Sequence, residues 1–169
     1  NFMRTIIIGG VAGGMSAATR LRRLDENAEI IVFEKGNEVS FANCGLPYFI
    51  GDVIKDRDDL LLQTPTSLND RYNLDVRVNH EVIKITPNDS SVLVKNTKTN
   101  IEESFEYDNL ILSMGASPFI PPIDGIENAF PLRDMYDVDR LVVATEQAVI
   151  NNESAVVIGA GFIGVEVAE

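Results

Sequence analysis

The chain has 169 residues, 45% of them hydrophobic, enough to bury a core as one domain or one and a fraction. Its 14 basic and 26 acidic residues give a net charge of -12, which argues against nucleic acid or an anionic membrane as a main partner. No apolar run approaches the ~20 residues that cross a bilayer, no secretory leader shows, and one cysteine cannot build a disulfide framework; a reducing cytoplasm is the expected location. Asn1 and Phe2 precede Met3, where the native chain is expected to start.

Arg4–Ile8 is rich in β-branched residues and predicts a short, fully buried strand. A glycine-rich turn, Gly9 to Gly14, leads into a predicted helix from Met15 to Leu24, with Ala17, Ala18, Leu21 and Leu24 as its apolar stripe. Glu29–Phe33 predicts a second buried strand, ending at Glu34. Strand, glycine turn, helix, strand and acid form the opening of a dinucleotide-binding βαβ unit. Residues 35–65 read mostly as loop with a short helical piece. A helix is expected from Thr66 to Tyr72, after Pro65. Residues 74–78, 81–85, 91–94 and 101–107 are strand-like, and the last two flank a polar turn that suggests an antiparallel meander. Asn109–Ser113 predicts another buried strand, residues 114–125 a Pro/Gly-rich linker, Val138–Ile150 a helix, and Ser154–Ile158 a strand. A second glycine fingerprint, GAGFIG, follows at residues 159–164. The sequence stops inside the helix that this turn should start, so the chain is expected to be the N-terminal part of a longer protein.

GAGFIG satisfies G-x-G-x-x-G in full. Gly159 suits the tight turn, Gly161 a close approach of pyrophosphate, and Gly164 helix packing on the strand. The bland alternative is an ordinary tight turn between strand and helix. The first fingerprint, GGVAGG, is imperfect: Gly9 and Gly14 hold the outer places, but Val11 stands where the middle glycine belongs and would crowd a pyrophosphate unless the turn adjusts. Glu34, about 20 residues beyond Gly14, suits a ribose hydroxyl. Two dinucleotide units suggest a flavin and a nicotinamide nucleotide passing electrons to an acceptor. Cys44 is the one thiol, framed by Ser40, Asn43 and Gly45. A lone cysteine is usually an inert core residue, but this small, polar framing suits a partly exposed, reactive one. Ser16, Arg20 and Arg23 share one helix face and make a candidate site for a phosphorylated ligand, the alternative being a solvated face. His80, the single histidine, reads as structural, and no metal-ligand cluster is visible.

Together, GGVAGG, SFANCGLPYFIGD, LILSMGASP and GAGFIG resemble the pyridine nucleotide–disulfide oxidoreductases along essentially the whole chain. The fold this implies is α/β: a Rossmann-like FAD/NAD(P)-binding parallel sheet with an antiparallel meander insertion, truncated here. Residues 1–118 would be the first segment of the FAD-binding domain, and residues 119–169 a linker and the start of the NAD(P)-binding domain. The resemblance is to the single-cysteine branch, because the paired-thiol branch has a second cysteine where Phe49 stands. Ala12 replaces a histidine of the oxidases and peroxidases, which makes GGVAGG similar to the coenzyme A-disulfide reductases.

For FAD, the resemblance implies contacts from Gly9, Ala12, Gly13, Gly14, Glu34, Lys35, Asn43, Val82, Ser113, Gly115 and Arg133. For NAD(P)H it implies Gly159, Gly161, Ile163 and Gly164. Ser16, Arg20, Arg23, Ser40, Asn43 and Tyr72 match residues that contact coenzyme A, with Arg71 beside them. Cys44 would form a mixed disulfide with CoA, in a cytoplasmic homodimer whose C-terminal domains complete the active site; the fragment alone should not turn over. The rivals are an NADH oxidase or peroxidase, a CoA-persulfide or polysulfide reductase, and a non-catalytic flavin-binding fragment.

Overall fold

The computed structural model of the chain describes residues 3–169. The chain forms two compact units, one made of the chain through Phe41 together with Leu61–Gly115, the other of Ala42–Leu60 and Ala116–Glu169.

The first unit is an α/β structure. Strands β1 (Arg4–Ile8), β2 (Glu29–Glu34), β3 (Asp75–Val78) and β7 (Asn109–Leu112) form a parallel sheet in the order β3-β2-β1-β7. Strand β1 pairs with β2 so that Ile6 faces Ile31 and Ile7 faces Val32 in register. Side chains alternate between the two faces of a strand. Ile7, Ile30 and Val32 enter one core with Met15 and Ala18 of helix α1 (Ala12–Leu24) and Leu68 of helix α3 (Pro65–Tyr72). Ile6, Ile8, Ile31 and Phe33 enter the other, against Val92 and Val94. These two valines belong to the antiparallel sheet of β4 (His80–Thr86), β5 (Ser91–Asn96) and β6 (Glu102–Glu106). The central strands β1 and β2 are apolar over Ile6–Ile8 and Ile30–Phe33 because both of their faces are covered.

Helix α3 starts on a capping box, in which Ser67 N donates to Thr64 Oγ1 at 3.1 Å and Thr64 N to Ser67 Oγ at 2.9 Å, and Asn73 ends it in the left-handed conformation. In α1 the buried face is Gly14, Met15 and Ala18, whereas Leu24, expected on the apolar stripe, is 67% exposed. The chain turns at Asp25 before a residue at position 24 can reach the sheet.

The second unit contains a 3-10 turn at Asn43–Gly45, helix α2 (Leu46–Ile50), helix α4 (Met135–Ile150) and helix α5 (Phe162–Ala168), with α2 packed against both α4 and α5. Helix α4 begins three residues before the predicted start, because the Asp134 carboxylate accepts from Asp137 N at 3.0 Å. The predicted strand at Ser154–Ile158 is not formed. Val156 and Ile158 are exposed there, and no neighbouring strand among the described residues pairs with the segment. A strand needs a hydrogen-bonding partner, and β-branched sequence alone does not supply one. No helix among the described residues is long and apolar enough to cross a membrane.

Candidate functional site

The first glycine loop is built by steric necessity. Gly9 has φ +102, and a Cβ there would run into the Ser113 backbone, with the Ser113 carbonyl carbon at 2.7 Å. A Cβ on Gly14 would overlap the Gly9 carbonyl oxygen and stand 2.9 Å from its carbon, so the start of α1 lies directly on the turn that precedes it. Gly13 is different. A Cβ there would make only ordinary contact with Ser113, 3.6 Å from Oγ. Gly13 and Ala12 are exposed at the first turn of α1, and Ser113 N donates to Ile8 O at 2.8 Å, which fixes the serine at the sheet end.

Glu34 braces this loop. Its Oε2 accepts from Gly10 N at 2.8 Å and its Oε1 from Gly36 N at 2.7 Å, leaving each oxygen a lone pair for a further donor. Gly10 itself was not singled out by the fingerprint. A Cβ there would stand 2.7 Å from Val39 Cγ1 and 3.0 Å from Glu34 Cβ, and the doubled glycine of GGVAGG is the signal that would have found it. The Gly10 carbonyl accepts from Ser40 N at 2.9 Å, and Ser40 adopts φ 50, a left-handed conformation that a serine rarely takes. Lys35 is exposed beyond the end of β2. Val82 lies on β4 opposite Val94, immediately before a register shift, and Gly115 ends the unit with φ +68.

Ser16, Arg20 and Arg23 are exposed on α1. The Arg71 guanidinium lies 5.2 Å from the centre of the Tyr72 ring, and that ring packs on the core beneath.

In the second unit, Asn43 and Cys44 share the 3-10 turn ahead of α2. Cys44 is a free, exposed thiol. The turn packs tightly, since a Cβ on Gly45 would stand 2.7 Å from Leu60 Cδ2. Asn43 Oδ1 is buried without a hydrogen-bond partner among the described residues. Such an orphaned acceptor costs on the order of 1–3 kcal/mol and marks a place where a bound donor would be favourable. Tyr48 donates its hydroxyl to Glu166 Oε1 at 3.3 Å, and the Glu166 charge pushes the phenol up from its ordinary value. Arg133 donates from Nε to Ala116 O at 2.9 Å, and its backbone N–H binds the Asp137 carboxylate at 2.8 Å. Burial pushes the Asp137 carboxyl up, with the charge of Asp134 adding to it.

The second glycine loop closes as the first does. Gly159 has φ +110, a Cβ on Gly164 would overlap the Gly159 carbonyl oxygen, and Val157 Cγ1 lies 3.5 Å away, matching Ile7 Cγ2 at 3.4 Å in the first loop. Gly161 has open space around it, and Ile163 is exposed. His80 makes a 2.7 Å contact from Nδ1 to Val78 O and sits beside Phe33, in keeping with a structural place.

The sequence pattern of the pyridine nucleotide-disulphide oxidoreductase family matches residues 3–169, and the chain belongs to that family. The coenzyme A disulfide reductase of Staphylococcus haemolyticus is 42% identical over 166 residues, 98% of this chain. The chain spans 37% of that relative's length. The crystal structure of reduced Bacillus anthracis CoADR-RHD is similar with a TM-score of 0.94 and 48% identity, over 100% of this chain and 30% of that one. An NAD-dependent persulfide reductase from A. fulgidus matches with a TM-score of 0.91 and 36% identity, over 99% of this chain and 31% of that one.

Proposed function

We propose that the full protein carrying this sequence reduces coenzyme A disulfide with electrons from NAD(P)H, through FAD and the single thiol of Cys44, as a cytoplasmic homodimer. The observation that carries this reading is the exposed Cys44 with Phe49 where a resolving thiol would stand. With one thiol, the second sulfur of each exchange has to come from the substrate. The 42% identity to a coenzyme A disulfide reductase supports CoA as that substrate.

The residues present fit a flavin. Gly9 and Gly14 close the tight turn that presents the start of α1, Gly13 leaves that start open, Glu34 keeps lone pairs for ribose hydroxyls, and Asn43 Oδ1 awaits a donor. Ala12, Lys35, Val82, Ser113, Gly115 and Arg133 complete the proposed set. Residues 1–118 would supply this flavin segment, and residues 119–169 the start of the NAD(P)H domain, with Gly159, Gly161, Ile163 and Gly164 at the nucleotide. Ser16, Arg20, Arg23, Ser40, Asn43, Arg71 and Tyr72 would hold CoA.

The Cys44 thiolate attacks one sulfur of CoA disulfide, the S–S bond breaks, and one CoA leaves as thiolate while Cys44–S–S–CoA forms. Cleavage of this mixed disulfide takes two electrons, which FAD held by the residues named above would supply from NAD(P)H. The second CoA leaves, protons from water neutralise the released thiolates, and Cys44 returns to the thiolate. Reduction of a persulfide is the second reading, supported by the similarity to the A. fulgidus persulfide reductase. Ala12 speaks against an oxidase or peroxidase.

The test is the intact mass of the purified full-length protein before and after reductant, with Cys44→Ser as control. A loss near the mass of CoA, absent from the variant, supports the reading. Loss of oxygen or sulfur alone moves it to the oxidase or the persulfide reductase. A free, alkylatable thiol with no mass change refutes a resting CoA adduct.

A further inference from the structure

Arg22 lies on α1 between the two arginines proposed for CoA, and it does something different from both. Its Nε donates to Tyr72 O at 2.9 Å and its Nη2 to Asn73 O at 2.9 Å, at the C-terminus of α3. Its Nη1 donates to Glu26 O at 2.6 Å and Asp25 O at 3.2 Å, just past the C-terminus of α1. One planar guanidinium thus satisfies carbonyls that two helix ends would leave unpaired. Its charge also sits where both helix dipoles are negative.

What these ends carry gives the contact its meaning. Arg20 and Arg23 project from α1 with no ion pair among the described residues, and Arg71, at the end of α3, has only the Tyr72 ring beneath it. All three guanidinium groups are exposed and positively charged, on neighbouring helix ends that Arg22 ties together.

We infer that Arg22 is a positioning residue for the CoA site: it locks the end of α3, with Arg71 and Tyr72, to the last turns of α1, with Arg20 and Arg23, so that the three free arginines meet a polyphosphate ligand at a set spacing. This rests on the CoA reading above. A bidentate guanidinium–phosphate contact is geometrically specific, so moving the two helix ends apart weakens the shared grip on the ligand.

The experiment compares steady-state kinetics of the full-length enzyme and its Arg22→Gln and Arg22→Lys variants, with CoA disulfide and NADH varied in turn. In Arg22→Gln the KM for CoA disulfide should rise at least about tenfold, while kcat, the KM for NADH and the flavin spectrum stay near wild type. Lysine presents its donors from one nitrogen and cannot span four carbonyls, so Arg22→Lys should fall between the two. A CoA-disulfide KM within twofold of wild type in Arg22→Gln overturns the inference, even with a lower melting temperature, because Arg22 would then be a helix tie only. Parallel losses in both KM values and in flavin content also overturn it. If Arg22→Gln does not fold, the KM of Arg22→Lys decides alone. A wild-type enzyme that ignores CoA disulfide sinks the underlying reading instead, and this inference with it.

Discussion

Adjacent glycines of the first loop should respond in opposite ways to the same added methyl group. In Gly14→Ala the new Cβ meets backbone: the Gly9 carbonyl oxygen, and the Gly9 carbon at 2.9 Å. Backbone cannot rotate aside as a side-chain tip can, so α1 has to lift from β1. Overpacking of this kind costs about 1–3 kcal/mol, and the unyielding neighbour puts Gly14 near the upper end. Alanine returns roughly 1 kcal/mol of helix propensity, leaving a net loss of about 2 kcal/mol. For a structure of this size that lowers the melting temperature by roughly 4–8 °C. In Gly13→Ala the methyl group makes ordinary contact at 3.6 Å from Ser113 Oγ, so the propensity gain of roughly 1 kcal/mol dominates and the melting temperature rises by about 2–4 °C. The same methyl group fills space proposed for the flavin, so the full-length protein should retain less of it, read as the flavin absorbance per protein. A Gly14→Ala protein as stable as wild type, or a destabilised Gly13→Ala, would show that the loop is not packed as described.

Asn43→Ala removes a side chain whose buried oxygen has no protein partner. It should leave ligand-free stability within about 1 kcal/mol and reduce flavin or CoA retention; a large loss of stability alone would mean that Asn43 is structural. The Asp137 carboxyl is raised above its ordinary value by burial, with the charge of Asp134 adding to it. The folded state therefore holds the proton more tightly, and stability falls as pH rises from about 3.8 through the raised value. Asp137→Asn keeps an oxygen for the Arg133 N–H, so urea midpoints of the variant should lose that downward slope; an unchanged slope would assign it to another group.

Much of the fold was legible because both faces of the central strands β1 and β2 are covered. Continuous β-branched runs such as residues 4–8 and 29–33 are too short for a core helix and too apolar for a half-exposed strand. Partnership was harder to read. Residues 74–78 were visible as strand-like, but their place beside β2 depends on side chains distant in sequence. Ser154–Ile158 resembles β1 in composition but has no strand beside it among the described residues, and it is not a strand. At the candidate site, the fingerprints located Gly9, Gly14, Gly159 and Gly164, where a clash with backbone or a positive φ requires glycine. Gly10 and Arg22 escaped because their necessity comes from Val39, Glu34 and the end of α3, which no local motif reports. Asp134 was missed as a cap because the apolar pattern of α4 becomes clear only at Val138.

The departure from the motif at Val11 has a physical account. The middle glycine is usually explained by close approach of the pyrophosphate. Val11 lies at φ -104 and ψ -131, outside the left-handed region, so nothing in the backbone demands glycine there. Loop closure depends on the outer pair, and the second loop closes in the same way around an open Gly161. Val11→Gly should therefore not improve the first loop. It adds conformational freedom to the unfolded chain and costs about 0.4–1 kcal/mol, with flavin retention unchanged. Thermal melting with flavin absorbance on the full-length variant measures both effects at once. A variant that melts at or above the wild-type temperature and retains more flavin would show that the valine crowds the cofactor and that the loop tolerates it at a cost.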